Sequence, residues 1–317
     1  MRHVTSVEDF KGVDLLPFFR RALAHRTGAE GVGDYAFSKK VLATVFYEPS
    51  TRTRLSFESA MHGLGGRIIS VENAKTSSSD KKGETLEDAV RVIAGNCDVI
   101  VLRHPEAGAA YRAAQVSSVP VINAGDGANQ HPTQALLDLF TIWEAVQKGD
   151  LPTKDLRLFF YGDNEKSRTV HSLCRLVATH ARSLGIDIRN VVFGGTRSTN
   201  SDVMSGLYAE LANAAIYSES IGTRIMPHTD IVYLTRLQKE RYPDGDETPA
   251  GPGEAEVFTL EHAQLLPQKA IIMHPLPRVD ELGTDVDTDH RAWYFKQAAN
   301  GRPVRMALLE RILRDNN

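Results

Sequence analysis

Phe46-Tyr47-Glu48-Pro49-Ser50-Thr51-Arg52-Thr53-Arg54-Leu55-Ser56-Phe57 joins two hydrophobic periods, and that junction decides the fold. Before it, Val41-Leu42-Ala43-Thr44-Val45-Phe46 is a short apolar run with β-branched members, the pattern of a buried strand. After it, Phe57, Ala60, Met61 and Leu64 recur at the spacing of one helix face. Pro49 ends the strand, and Ser50 or Thr51 is placed to cap the helix. A strand running straight into a helix start presents backbone N–H groups, hydroxyls and the guanidinium groups of Arg52 and Arg54. Such a turn is an anion site, with phosphate its natural guest. An ordinary capped helix carrying surface arginines is the plainer reading of the same residues. It is not a P-loop, which needs a Gly-rich loop ending in Gly-Lys-Ser/Thr.

The alternation continues outward from this turn. Val13, Leu15, Leu16, Phe18, Phe19 and Leu23 predict a helix ahead of the first strand. Arg67–Val71, Asp98–Arg103 and Val119–Ala124 predict further strands, with a helix from Leu86 to Ile93 among them. Pro132 suits the first position of a helix running to Lys148. That helix carries too many apolar residues for one stripe, so it is expected to be buried on more than one side. Beyond Gly149-Asp150-Leu151-Pro152, the best candidate domain junction, the pattern repeats. Leu156–Tyr161, Asn190–Phe193, Asp230–Leu234 and Ala270–Met273 read as strands, with a helix face at Val170, Leu173, Cys174 and Val177 and a terminal helix over Val304–Leu313. Strands alternating with helices predict an α/β fold with parallel sheets. Residues 242–256, rich in Pro, Gly and acids, read as a long surface loop.

At 317 residues the chain suits two domains. A net charge of −3 gives no reason to expect nucleic acid or a membrane as partner. Neither a signal-peptide core nor a membrane-length apolar run occurs, and a cytoplasmic setting is expected. Cys97 and Cys174 lie in apolar periodic stretches and are expected to be buried thiols.

Polar groups gather where strands end, the place where ligands bind in open parallel sheets. Arg103 and His104 follow the third strand, Arg168 opens the helix after Leu156–Tyr161, and Arg236 with Gln238 follows Asp230–Leu234. His274-Pro275-Leu276-Pro277-Arg278 follows the last strand. Any one of these arginines could be a surface ion pair, but with the Ser50–Arg54 turn they make five sites at equivalent strand ends. His131 and Gln134 share one face of a helix start, where a histidine can also serve as a cap. Metal ligation lacks His-x-x-x-His, a Cys cluster or paired acids, and nucleophilic catalysis lacks a Gly-x-Ser-x-Gly elbow. Gly162-Asp163 makes only a weak dinucleotide turn without the further glycines.

Together these motifs resemble the aspartate/ornithine carbamoyltransferase superfamily, and within it the aspartate carbamoyltransferase catalytic chains. The likeness is carried by Phe46–Arg54, Lys81-Lys82-Gly83-Glu84-Thr85, Arg103-His104-Pro105, Asn123-Ala124-Gly125-Asp126-Gly127 and His131-Pro132-Thr133-Gln134. Arg168–Ser172, Arg236–Arg241 and His274–Arg278 complete it, and the last two favour the aspartate branch over the ornithine branch. The resemblance implies two doubly wound α/β domains, residues 1–148 with 291–317 for carbamoyl phosphate and 149–290 for the amino acid. Two interdomain helices would link them, and their closure would expel water.

It further implies that Ser50, Thr51, Arg52, Thr53 and Arg103 hold the phosphate, with Thr53, Arg103 and His131 donating to the carbonyl oxygen. Gln134 and the Leu276 and Pro277 backbone would orient the carbamoyl amide group. Arg168 and Arg236 would fork the two aspartate carboxylates, with Gln238 and Lys82 beside them. No cofactor and no metal is implied. A homotrimer with sites shared at subunit boundaries is implied, open to further assembly with regulatory chains, with Ser78 and Lys82 reaching into the neighbouring subunit's site. Asp163–Ser167, residues 194–228 and the 242–256 loop depart from the family pattern, and all lie in the half expected to hold the amino acid. A carbamoyltransferase for another amine, or an idle homologue that binds metabolites, are the competing readings.

Overall fold

A computed structural model describes residues 2–29, 37–72, 83–195, 202–211, 214–216, 221–237 and 256–316 of the chain. It divides into two compact units, Met1–Leu136 with Asn300–Asn317, and Leu137–Ala299.

The first unit holds α1 (Leu15–Thr27), β1 (Val41–Phe46), α2 (Thr51–Gly63), β2 (Arg67–Glu72), α3 (Leu86–Ala94), β3 (Val99–His104), α4 (Ala109–Val116) and β4 (Val121–Asp126). The four strands are parallel, in the order β2-β1-β3-β4. β1, β3 and β4 are buried nearly end to end, as parallel strands covered on both faces should be. β2 is the edge and is mostly exposed. The other edge is covered by the N-terminal segment, where Val4 N–H donates to Val121 O at 2.9 Å and Asn123 N–H to Val4 O at 2.7 Å. Pairing of Phe46 with Arg103 and of His104 with Asp126 brings three strand ends together.

α5 (Pro132–Lys148) carries the chain from the first unit into the second and is buried along almost its whole length, as its composition predicts. The second unit continues with β5 (Leu156–Gly162), α6 (Arg168–His180), β6 (Ile188–Gly195), α7 (Asp202–Glu210), β7 (Ala214–Ile216), β8 (Ile231–Leu234), α8 (Leu260–Gln264), β9 (Ile271–Met273) and α9 (Tyr294–Ala299). Its five strands are parallel, in the order β7-β6-β5-β8-β9. Gly162, at φ 121°, lets the end of β5 approach β8: a Cβ there would lie 2.0 Å from the Thr235 carbonyl oxygen. Close packing, and not a dinucleotide, accounts for this glycine.

The last helix, α10 (Gly301–Asp315), belongs to the first unit and packs on α1 and α2. Its Glu310 receives Arg21 Nε at 2.7 Å and Arg21 Nη2 at 2.6 Å, lies 2.7 Å from His25 Nε2, and pairs with Arg314 at 2.6 Å. Cys174 is buried as expected, whereas Cys97 is only half-buried. Cys97 sits just past the end of α3, where its thiol donates to Ile93 O at 3.3 Å, and burial pushes its pKa to about 11. Among the described residues no helix is long and apolar enough to cross a membrane.

Candidate active site

In the first unit, Ser50 occupies the cap position of α2 in extended conformation, and its carbonyl accepts the first helical bond from Arg54 N–H at 3.1 Å. Its side chain makes no capping hydrogen bond, contrary to the capping role expected from sequence. The first-turn amides are thus left to another acceptor. No acid occupies that turn, while Arg52 and Arg54 do, against the helix dipole. An anion at this point would satisfy the amides and offset the charge of Arg52. Thr53 is buried beneath the turn, and Arg52 is exposed. Arg54 is turned away to the edge strand, where it lies 3.3 Å from both Ser70 Oγ and Glu72 Oε2.

Arg103, at the end of β3, is buried. Its Nη1 donates to Ala124 O at 3.1 Å, and its Nη2 lies 3.3 Å from Glu48 Oε1. Burial lowers the pKa of this guanidinium, the charge of Glu48 opposes that, and the nearby charge of Arg52 lowers it further. Arg52 and Arg103 therefore feel one another across the turn, and both remain cations at any working pH. Glu48 was not singled out from the sequence; its place inside the motif, next to the pairing of Phe46 with Arg103, was the available signal.

Asp126 sets the geometry around this pair. Its Oδ1 accepts Asn123 Nδ2 at 2.8 Å and Gln130 N–H at 3.2 Å, and its Oδ2 accepts Gly108 N–H at 2.8 Å and Asn129 Nδ2 at 3.0 Å. One carboxylate thus ties the segment after β3, the end of β4 and the entrance of α5. Gly127, at φ 51°, sits so close to the segment after β3 that a Cβ would lie 2.6 Å from Pro105 O. The entrance delivers His131, buried, and Gln134, half-buried; Gln134 N–H donates to His131 O at 3.0 Å. Ser50, Thr51, Arg52, Thr53, Arg103, His131 and Gln134 are thereby placed at the carboxyl ends of β1, β3 and β4 or at the helix starts that follow β1 and β4. Lys82 and Ser78 lie outside the described residues.

In the second unit, Arg168 is the first residue of α6 and is buried, and Arg236 follows β8, half-buried, with Nη1 donating to Leu237 O at 3.2 Å. The departing segment Asp163–Ser167 forms its own turn: Asp163 Oδ1 accepts Lys166 N–H at 3.1 Å, and Asn164 Nδ2 donates to Gly194 O at 2.8 Å. After β9, Leu276 is half-buried and Pro277 is exposed. Arg278 forks onto Asp287, which fixes this last motif arginine structurally. Gln238 and the 242–255 part of the loop lie outside the described residues.

Two family profiles match the chain: "Aspartate/ornithine carbamoyltransferase, carbamoyl-P binding domain" over residues 2–144, and the corresponding "Asp/Orn binding domain" over residues 154–312. The chain belongs to the aspartate/ornithine carbamoyltransferase family. Among its relatives, the aspartate carbamoyltransferase catalytic subunit of Methanocaldococcus jannaschii is 46% identical over 279 residues, covering 87% of this chain and 86% of that one. The catalytic subunit of Methanopyrus kandleri is 44% identical over 315 residues, covering 98% and 97%.

The fold matches solved members of the carbamoyltransferase family. Trypanosoma cruzi aspartate transcarbamoylase in complex with carbamoyl phosphate and aspartate aligns with a TM-score of 0.86 at 34% identity, over 97% of this chain and 95% of that one. The M. jannaschii aspartate transcarbamoylase catalytic subunit aligns with a TM-score of 0.83 at 41% identity, over 100% and 99%.

Proposed function

We propose that this protein is an aspartate carbamoyltransferase, moving the carbamoyl group of carbamoyl phosphate to the amine of L-aspartate, an early step of pyrimidine synthesis in the cytoplasm. The observation that carries this reading is the uncapped start of α2, which bears Arg52 and whose preceding turn holds the buried Arg103 through Glu48, an arrangement suited to a dianion. Carbamoyl phosphate rests its phosphate on the Ser50–Thr53 backbone, Arg52 and Arg103. Thr53, Arg103 and His131 donate to the carbonyl oxygen as negative charge develops on it. Gln134 and the Leu276 and Pro277 backbone orient the carbamoyl amide group. The two aspartate carboxylates are taken by Arg168 and Arg236, with Gln238 and Lys82 alongside. The substrate amine attacks directly and its proton leaves on the departing phosphate, so positioning and charge stabilisation carry the rate.

The same reading assigns residues 1–148 and 291–317 to carbamoyl phosphate and residues 149–290 to aspartate. It includes a homotrimer in which Ser78 and Lys82 complete a neighbour's site. The exposed Leu55 on α2, and the exposed Ile69 and Val71 on one face of edge strand β2, support self-association of the first unit. The test is product formation from carbamoyl phosphate with aspartate, ornithine, glutamate, N-acetylornithine and putrescine in turn. N-carbamoyl-L-aspartate is expected to dominate; turnover with another amine would overturn the acceptor, and no turnover with any would overturn the activity.

A further inference from the structure

His274 closes β9 and is almost fully buried, as is Glu281 seven residues on. The His274 Nδ1 accepts the Leu276 amide proton at 2.8 Å, so this nitrogen carries no proton of its own. Its Nε2, 2.7 Å from Glu281 Oε1, is then the protonated nitrogen and donates to the carboxylate. Both Glu281 oxygens also accept Val279 N–H, at 3.3 and 3.2 Å. Burial pushes the Glu281 carboxyl up, but hydrogen bonds from His274 and from backbone amides outweigh it and hold the group below the usual range.

The main chain of His274 is fixed from the other side. Its N–H donates to Gln297 Oε1 at 2.8 Å, Gln297 Nε2 donates to Asp138 Oδ1 at 2.6 Å, and Tyr233 OH donates to Asp138 Oδ2 at 2.7 Å. A buried polar chain therefore runs from α5 through α9 to the segment after β9. That segment contains Leu276 at φ 53°, a left-handed conformation that bulky residues keep only where their surroundings impose it.

We propose that Glu281 and His274 are positioning residues for carbamoyl transfer: they fix the imidazole tautomer whose Nδ1 holds Leu276 left-handed, and so aim the Leu276 carbonyl at the carbamoyl amide group. This rests on the reading that the Leu276 and Pro277 backbone orients that group. Released from Nδ1, Leu276 relaxes to an ordinary backbone region and its carbonyl turns with it. Neither side chain touches substrate in this scheme.

The first test does not depend on turnover. In the intact protein labelled with nitrogen-15 histidine, the His274 imidazole, assigned by its loss in H274N, is expected as the Nε2–H tautomer at neutral pH. An Nδ1–H tautomer or an imidazolium would overturn the proposal, whether or not the protein transfers carbamoyl groups. The second test is kinetic. E281A is expected to lose about 100-fold in kcat/KM for carbamoyl phosphate, the scale of a small misplacement at the reacting group. E281Q, whose amide oxygen still accepts from the imidazole, should stay within about threefold of wild type, the scale of a retained hydrogen bond. H274N offers its own Oδ1 to the N–H two residues on, so it should keep more activity than H274L, which offers nothing. A folded E281A with unchanged kcat/KM, or H274N no better than H274L, would overturn the proposal; the latter comparison stands if E281A fails to fold.

Discussion

Glu48 Oε1 lies 3.3 Å from Nη2 of the buried Arg103, so the cation at the end of β3 is held by a residue of the turn that precedes α2. Glu48→Gln keeps the volume and an acceptor oxygen but removes the charge, leaving Arg103 held by neutral acceptors, that amide and the Ala124 carbonyl. Turnover is expected to fall by about tenfold, or ~1.4 kcal/mol, because a mispositioned guanidinium stabilises the transition state less well. Arg103→Ala should cost at least about 100-fold in kcat. Steady-state kinetics on both variants checks the order; a Glu48→Gln enzyme as slow as Arg103→Ala would mean that Glu48 does more than position.

Arg52 and His131 should separate by kinetic signature. On the proposed function, Arg52→Ala would lose a phosphate contact made in ground and transition states, so KM for carbamoyl phosphate should rise as well as turnover fall. On the same reading His131→Ala would lose a donor to the developing oxyanion and should lower kcat by about 100-fold with little change in KM. The reverse pattern at His131 would make it a binding residue only.

Asp126→Asn is a test of the hub. Both carboxylate oxygens face donors only, namely Asn123 and Gln130 on one side and Gly108 and Asn129 on the other. Whichever way the new amide turns, its NH2 group meets two donors, and a loss of about 2 kcal/mol is expected from urea unfolding of the first unit. KM for carbamoyl phosphate should rise in the same variant, since Arg103 and His131 both depend on the segments Asp126 joins.

The Glu310 cluster predicts a pH dependence of stability. Burial raises the pKa of this carboxyl, but hydrogen bonds from His25 and Arg21 and the charges of Arg21 and Arg314 outweigh it and bring it from 4.5 to about 2. With the folded pKa the lower of the two, its stabilisation is complete above the unfolded value and is lost as pH falls from 4.5 to about 2. Upwards of that window Glu310→Gln should cost about 3 kcal/mol. The Tm gap between wild type and Glu310→Gln, large at neutral pH, should narrow on acidification; a gap that stays constant would place the stabilisation in packing instead.

Much of this was legible in the sequence. The β1–α2 junction and most of the eight expected strands could be read because strands buried on both faces are continuous apolar runs; β2, an exposed edge, was read from its β-branched residues instead. β7 was not, since Ala214-Ala215-Ile216 is too short to show a period. α4 escaped for a related reason: Ala109, Ala110, Ala113 and Ala114 form its buried face, and alanine gives little hydrophobic contrast. The positions of Arg52, Arg103, Arg168 and Arg236 were legible because an arginine placed after a strand is a local signal. Their anchors were not: Glu48, Asp126 and the His274–Glu281 pair act through partners that only register and strand order bring within reach. Arg278, the last arginine of its motif, takes the plainer course open to an arginine after a strand and pairs with Asp287.

Because α10 completes the first unit while the second is the unbroken run Leu137–Ala299, the chain is finished in a different order from that in which it is written. As the chain leaves the ribosome, the second unit has all of its residues while the first still lacks the helix whose Glu310 accepts from Arg21 and lies against His25. The usual sequence, in which the N-terminal domain matures first, is inverted here. The turn before α2, made early, waits for α10 to gain its settled surroundings, so a chain truncated before Gly301 should hold a folded second unit and a first unit open to protease.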